Sequence, residues 1–392
     1  MKILLAHNQY QQPGGEDQSV TAEIAMLEAF GHEVIQHRVH NDSIKNMSRL
    51  GVAARTIWNR SSFHQVRELI RTHRPDIAHF NNTFPLISPA AYYAAKGEGV
   101  PVIQTLRNYR LICPNSYFLR DQKVCELCLG RMIAWPGILH RCYRESRSAT
   151  AVVAAMLTTH RLMRTWQNAV DVYIALTDFG RNIFIRAGLP QAKIVVKPNF
   201  VYPDPGPGQG EGGYAIFVGR LSEEKGVKTL LDAWRKLEKA VPLKIVGAGP
   251  LEPLVQEAAS RDPRIEWMGH QPAGEVGKLV GNATYLLFPS LWYEGMPRTI
   301  IESFAKGTPV IGSKLGAMQD LIDHHRTGFH FEPGEADALT AVVTEIWGDH
   351  ARLDRMRQSA RSEFEGHYRY ESNYERLMTI YQQAIHSGQQ KS

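Results

Sequence analysis

No stretch of this chain reaches the run of about 18 apolar residues that a membrane-spanning helix requires. The apolar start of "MKILLAHNQY" is too short for a secretory leader, so it reads as a first buried strand and the protein as cytoplasmic. Cysteine is scarce: there are four in 392 residues, all in one segment, and a reducing cytosol argues against pairing them as disulfides. Internal repeats and low-complexity tracts are missing, which sets aside solenoids and disordered linkers. There is no recognised nucleic-acid-reading motif and no aromatic stacking platform, so nucleic acid is not an expected partner. No side chain stands out as a covalent nucleophile. Net charge is only +6, with a pI near 9.0, which admits anionic partners without choosing among them.

What remains is an ordinary globular composition, 43% hydrophobic and 21% charged, long enough for about two domains, each with its own core. Apolar strand-like runs alternate with amphipathic helical patterns from end to end, which predicts parallel, doubly wound α/β sheets. Residues 1–200 read as the first domain. A linker rich in proline and glycine follows at 201–213, then a second domain at 214–367 and a terminal amphipathic helix at 368–392.

The most telling segment is residues 289–313, "PSLWYEGMPRTIIESFAKGTPVIGS". It follows the buried strand pattern "ATYLLF" and predicts a helix from about Pro297, with Ile300, Ile301, Phe304 and Ala305 on its apolar stripe. Glu294 lies in the loop before the helix and Glu302 on its second turn. Both can face the crevice at the carboxyl ends of the strands, where open α/β sheets bind ligands. The helix end at Gly295–Met296 favours an anion such as a diphosphate, while carboxylates accept hydrogen bonds from hydroxyl groups. That combination describes a nucleotide sugar. The alternative is a helix-dipole partner plus an ordinary surface glutamate.

Upstream, "YAIFVGRLSEEKGV" runs strand, turn, helix, and sets Arg220 and Lys225 where two cations can converge on phosphates. "LKIVGAGP" ends in Gly247 and Gly249, where the chain turns tightly or a ligand approaches closely. In this order, "VGRLSEEKGV" and "EGMPRTIIE" resemble the retaining glycosyltransferases of family 4, which have the GT-B fold. The resemblance is strongest over residues 214–331. It implies two Rossmann-like domains facing a cleft, with the terminal helix crossing back to the first. It also implies metal-independent transfer of a sugar from a UDP- or GDP-linked donor to a sugar, lipid-linked or glycoconjugate acceptor. On that basis Glu294 holds the reacting sugar, Glu302 the ribose, Met268 borders the base, and Arg220 and Lys225 offset the leaving diphosphate.

In the first domain, Gly14 and Gly15 precede a helix whose Val20, Ile24, Leu27 and Phe30 share one face. The resemblance assigns this loop to the donor phosphates or the acceptor; a simple tight turn is the alternative. Many family members carry a histidine after the strand "PVIQTL", where this chain has Arg107. An arginine cannot serve as a base, so Arg107 is a phosphate or acceptor contact or a structural ion pair. His79 in "AHFNN" is a pocket candidate or a satisfied buried histidine.

Cys113, Cys125, Cys128 and Cys142 are spaced C-x11-C-x2-C-x13-C within an insert at 107–147. The C-x2-C step suits a closed, structural four-thiolate zinc site; free thiols are the alternative, and the pattern also fits redox chemistry. Few periodic apolar positions occur there, so the segment is expected to need the metal for order. Residues 101–170 carry ten Lys or Arg against three Asp or Glu, a charge of +7 in one region. With Trp135, Tyr143 and Trp166 interleaved, that region could meet anionic lipid peripherally or a phosphorylated acceptor; a solvated face explains it equally. Two other functions fit parts of the pattern. A nucleotide-sugar sensor would use the same pocket without turnover, and a nucleic-acid binder would use only the charge.

Overall fold

The computed structural model describes residues 1–11 and 14–389. Gln12 and Pro13, in the loop expected after the first strand, and residues 390–392 lie outside the described residues. The chain divides into two compact units. The first comprises Met1–Phe118, Cys125–Pro198 and the chain from Glu371; the second comprises Leu119–Val124 and Asn199–Tyr370. Each holds one six-stranded parallel sheet flanked by helices, the α/β architecture expected.

The strands of the first sheet are β1 (Lys2–Gln9), β2 (Glu33–His40), β3 (Ile77–Phe80) and β4 (Val102–Leu106). A two-residue hairpin, β5 (Leu119–Arg120) and β6 (Lys123–Val124), comes next in sequence. β7 (Val172–Ala175) and β8 (Ile194–Val196) complete the sheet, in the order β2-β1-β3-β4-β7-β8. Ile3, Leu4, Leu5 and Ala6 are fully buried, as a strand covered on both faces requires. β1 continues three polar residues past the apolar run that ends at Ala6. His7, Asn8 and Gln9 still pair with Arg38, Val39 and His40, and Asp17 meets the buried His7 ring at 2.9 Å. A polar strand end was invisible to a pattern that counted apolar residues.

The second sheet contains β9 (Ala215–Val218), β10 (Leu243–Val246), β11 (Ile265–Gly269), β12 (Tyr285–Phe288), β13 (Val310–Ser313) and β14 (Gly328–Phe331). Its order is β11-β10-β9-β12-β13-β14, the doubly wound arrangement in which the chain reverses direction between β9 and β12. The helix Val227–Lys236 buries Val227, Leu230, Leu231 and Trp234 against this sheet, and the Trp234 indole donates to the Val241 carbonyl at 3.0 Å.

Two segments differ from expectation. The stretch 201–213 is no slack linker. Gly208, Gly210 and Gly212 donate their N–H groups to Lys306, Gly281 and Asn282 of the second unit at 2.8–3.0 Å. The cysteine segment, expected to have little core of its own, packs Cys128 and Ala134 with Val153, Ala154, Met156 and Leu157 of the helix Arg147–Leu162. Its inward positions are spaced by turns rather than by helical periodicity, which is why the pattern hid them.

Candidate functional site

At the reversal point of the second sheet, the loops leaving β9 and β12 carry the residues that the sequence singled out. After β9 the chain makes a short turn at Glu223–Lys225 and enters the helix at Val227 through Gly226. Gly226 has φ +73°, and a Cβ there would lie 1.8 Å from the Pro289 carbonyl oxygen, so only glycine lets this turn close on the loop after β12. That approach puts the Lys225 ammonium 2.7 Å from Oε1 of Glu294. The Ser290 hydroxyl donates to the same oxygen at 2.8 Å. The rings of Phe288 and Trp292 lie 5.6 and 5.3 Å from the Lys225 nitrogen and hold it in place by cation–π attraction. Glu294 is thus held by the Lys225 ammonium and the Ser290 hydroxyl, with its side chain 7% exposed and that of Lys225 22%.

The helix after this loop spans Arg298–Ala305, with Pro297 as its extended N-cap rather than its first helical residue. No side chain caps it, so its first turn still offers backbone N–H groups and the positive end of its dipole. Met296 is buried, where its sulfur and carbonyl accept from the backbone and side-chain amides of Asn199 at 3.0 and 3.2 Å; Gly295 is half-buried beside it. Glu302 pairs with Arg298 one turn earlier, through two bonds of 3.1 and 2.9 Å that both land on Oε1. Arg220 is exposed and has no partner among the described residues, so Lys225 alone of the expected cation pair is already engaged. Met268 is half-buried near the end of the edge strand β11.

Gly247 is explained without a ligand. At φ +144°, a Cβ there would lie 1.9 Å from the Gly219 carbonyl oxygen, so the residue is glycine because the ends of β9 and β10 meet. Ser290 and Trp292 were missed by the sequence reading, although both sit inside the segment it chose. The available signal was the position of Ser290, two residues past a buried strand on the ligand side.

The first unit gathers a different set. Gly14 caps the helix Gly15–Ala29, and its N–H is taken by the Asp17 carboxylate at 3.0 Å. Glu16 and Asp17 thus already occupy the end of the helix that was expected to meet a phosphate; Gly15 is exposed. Although burial would raise Asp17, its bonds to His7 and the Gly14 N–H hold the carboxyl below its ordinary value. His79 is no pocket residue. It is fully buried, with Nδ1 2.8 Å from the Tyr381 hydroxyl and Nε2 2.7 Å from that of Thr105. Burial pushes its pKa down to about 4, so it is neutral near pH 7.

Glu23, absent from the sequence reading, stands 3.4 Å from His79, 3.5 Å from Lys197 and 3.7 Å from Arg107, all buried. Burial alone would raise Glu23, but the surrounding positive charge overcomes it and keeps the carboxyl low. With His79 neutral, Lys197 and Arg107 supply that charge. Burial also lowers Lys197, to about 8. Arg107 is held by this ion pair and by a 2.8 Å bond to Asn81, yet it also lines a shallow polar pocket with Asn81, Asn82, Thr83, Gln104 and Arg110. Nδ2 of Asn81 is buried without a hydrogen-bond partner among the described residues.

No disulfide joins any of the four cysteines. Pro114, next to Cys113, packs within 3 Å of where a Gly137 Cβ would stand; the Gly137 N–H donates to the Ala134 carbonyl at 3.1 Å, and its carbonyl accepts from the Cys142 N–H at 3.0 Å. Burial, with the neighbouring Cys113, Cys142 and Cys125, pushes the Cys128 thiol up to about 11. Among the described residues, no group of three or more His, Cys, Asp or Glu side chains is arranged to hold a metal ion.

Two parallel sheets of this connectivity, each with a polar cluster at its reversal point, define a pair of Rossmann-like units. Solved structures share this fold along nearly the whole chain. Sucrose-phosphate synthase of Thermosynechococcus elongatus superposes with a TM-score of 0.72 at 16% identity, covering 98% of this chain and 99% of its own. The Anabaena protein HepE in complex with UDP-glucose gives 0.68 at 17% identity, with 99% of both chains covered. Residues 14–199 match the family described as "Glycosyl transferase 4-like domain", and residues 206–363 that described as "Glycosyl transferases group 1". The chain belongs to the GT-B glycosyltransferases, with a first domain of the family 4-like type. Curated relatives include the amylovoran biosynthesis glycosyltransferase AmsK of Erwinia amylovora, 27% identical over 42% of this chain and 43% of its own length. Glycogen synthase of Mycobacterium tuberculosis is 28% identical over 37% of this chain and 36% of its own. The matched part is thus less than half the length of either relative. No helix among the described residues is long and apolar enough to cross a membrane.

Proposed function

We propose that the protein transfers a sugar, with retention of configuration, from a nucleoside-diphosphate sugar to a hydroxyl acceptor in polysaccharide or glycoconjugate synthesis. One observation carries this reading: the Lys225–Glu294–Ser290 set lies before an uncapped helix end, at the reversal point of a doubly wound sheet. The diphosphate would lie at that helix end, with Lys225 and the unengaged Arg220 offsetting the charge that grows as the bond from the anomeric carbon to phosphate oxygen breaks. Glu294 would orient the sugar hydroxyls, and Glu302 would take the ribose hydroxyls through Oε2, since both bonds from Arg298 fall on Oε1. The acceptor oxygen bonds to the anomeric carbon on the face that the phosphate leaves, and its proton passes to the departing phosphate oxygen. That route uses protein cations where other transferases use a divalent metal. The pocket of the first unit, part apolar through Phe84, Leu111 and Met156, also offers amide and hydroxyl groups of Asn81, Asn82 and Thr83 that a sugar acceptor could bond. HepE was solved with UDP-glucose and AmsK is named for amylovoran biosynthesis; both support a nucleotide-sugar donor and a polysaccharide role.

The test is a thermal-shift screen over UDP- and GDP-sugars, followed by transfer assays with the stabilising donor, with and without EDTA. Stabilisation without any transfer to any acceptor would favour a sensor. A strict need for added magnesium or manganese would remove the metal-independent route.

The structural zinc belongs to the same proposal. Cys113, Cys125 and Cys142 all lie close enough to Cys128 to act on its thiol, which supports a four-thiolate site once the side chains turn toward one ion. Elemental analysis should return one zinc per chain, and four freely titrating thiols in active, metal-free protein would exclude it.

A further inference from the structure

Most of the large apolar side chains that this protein leaves exposed come from one short region of the first unit. Leu127, Met132, Ile133, Trp135, Leu139 and Leu162 all face solvent, with Trp135 51% and Leu162 68% exposed. They form one patch. The Arg131 side chain donates to the Leu127 carbonyl at 2.7 Å, and its guanidinium lies 5.5 Å from the centre of the Trp135 ring. The Met132 carbonyl accepts from Arg161 at 3.0 Å and from the Thr158 hydroxyl at 3.5 Å. Leu162 lies one helical turn beyond Thr158, and Leu139 four residues beyond Trp135, so each sits above its partner on the same side.

This patch is not a core turned outward. The same elements bury a separate inward set, Ala134, Val153, Ala154 and Leu157 among them, to which none of the outward side chains belongs. Charge completes the picture. Residues 131–164 contain six arginines (Arg131, Arg141, Arg144, Arg147, Arg161 and Arg164) against a single acidic residue, Glu145.

We propose that this face docks on the surface of an anionic lipid bilayer. Trp135 and its aliphatic neighbours would enter the headgroup layer while the arginines stay at lipid phosphate level. An aromatic ring with a stacked arginine suits that boundary, where one side is apolar and the other wet. A second copy of this chain fits poorly, because a twofold contact would press like-charged faces together. The surface involves neither the Lys225–Glu294 set nor the polar pocket, so it stands or falls independently of the transfer reading.

Flotation with vesicles tests it. Full-length protein should bind phosphatidylcholine vesicles doped with phosphatidylglycerol and scarcely bind phosphatidylcholine alone, with binding lost as salt is raised. Arg131→Glu and Arg144→Glu should each weaken binding to the anionic vesicles by about fivefold or more. The double variant Trp135→Ser/Leu139→Ser should weaken it at every salt concentration, and Trp135→Phe should remove the blue shift in tryptophan emission on vesicle addition. These side chains are exposed, so melting temperatures should stay at the wild-type value, and a melt alongside each assay shows that loss of binding is not loss of fold. Equal binding to neutral and anionic vesicles, or variants that bind like wild type, would overturn the proposal. So would a dimer in gel filtration that the same substitutions dissolve, since the face would then be an interface between copies.

Discussion

Each unit builds a cluster around one glutamate, and the two clusters are put to opposite use. In the second unit, Glu294 meets the Lys225 ammonium and the Ser290 hydroxyl in a loop that solvent reaches, and the Lys225 side chain keeps 22% of its surface exposed. In the first, Glu23 meets Lys197 and Arg107 beside a neutral His79, with every member buried. A charge pair at the edge of water can exchange a partner for a ligand at little cost, because solvent covers the transition. A sealed one cannot, since each charge taken from its partner is left in a medium of low dielectric. The ingredients are the same; exposure decides whether they form a site or a fastening.

Substitutions can break that contrast. The largest effect is expected at Glu23→Ala, which strands two buried cations. It should cost about 3–5 kcal/mol of stability in denaturant melts, while donor binding by the second unit persists. A stability loss within about 0.5 kcal/mol would show that Glu23 is not a fastening. Lys225→Ala should do the reverse, lowering transfer by about a hundred- to a thousandfold, or about 2.7–4 kcal/mol, with the melt little changed. A kinetically normal variant would remove Lys225 from the reaction.

The third effect is a pH dependence. The folded value of His79 near 4 lies below its ordinary 6.5, so between these values only the unfolded chain takes up the proton. Stability should therefore fall as pH is lowered from 6.5 toward 4, by up to about 1.4 kcal/mol per unit, and His79→Gln should flatten the slope. An equally steep curve in the variant would assign it elsewhere. The smallest effect on stability is expected at Glu302→Ala. A half-exposed pair one turn apart is worth about 0.2–0.5 kcal/mol, so the melt should barely move while nucleotide affinity drops. Unchanged affinity measured by calorimetry would take Glu302 out of the site.

The sheets were readable in the sequence because parallel strands are buried on both faces and leave unbroken apolar runs, as in Leu243–Val246. Glu294 was readable too, as a carboxylate in a loop before a helix. Its bond to Lys225 was not, since 69 residues separate them and only the fold sets that distance. Glu23 was passed over, although the spacing held a clue. Glu23 is three residues after Val20 and four before Leu27, which places it on the very stripe that packs inward. An acidic residue inside an apolar stripe is a question about its partner. Here one partner, Lys197, stands 174 residues further along the chain. The role proposed for Gly247 needed the structure for the opposite reason, because one glycine pattern serves both ligand approach and contact between neighbouring chain segments.

The first unit is discontinuous in sequence: it breaks off at Pro198 and resumes at Glu371. The resumed helix supplies Asn373, whose side chain accepts from Lys197 at 2.7 Å, and Tyr381, which meets His79. During synthesis on the ribosome, then, the opening half of the protein must wait with its charge cluster open while the whole of the second unit is translated. The last few turns of helix act as a closing clasp. A gene fragment ending at residue 198 would yield a nascent chain that never receives it, a natural client for chaperones. The longer chain would complete this unit only after the helix beyond Glu371 has left the ribosome.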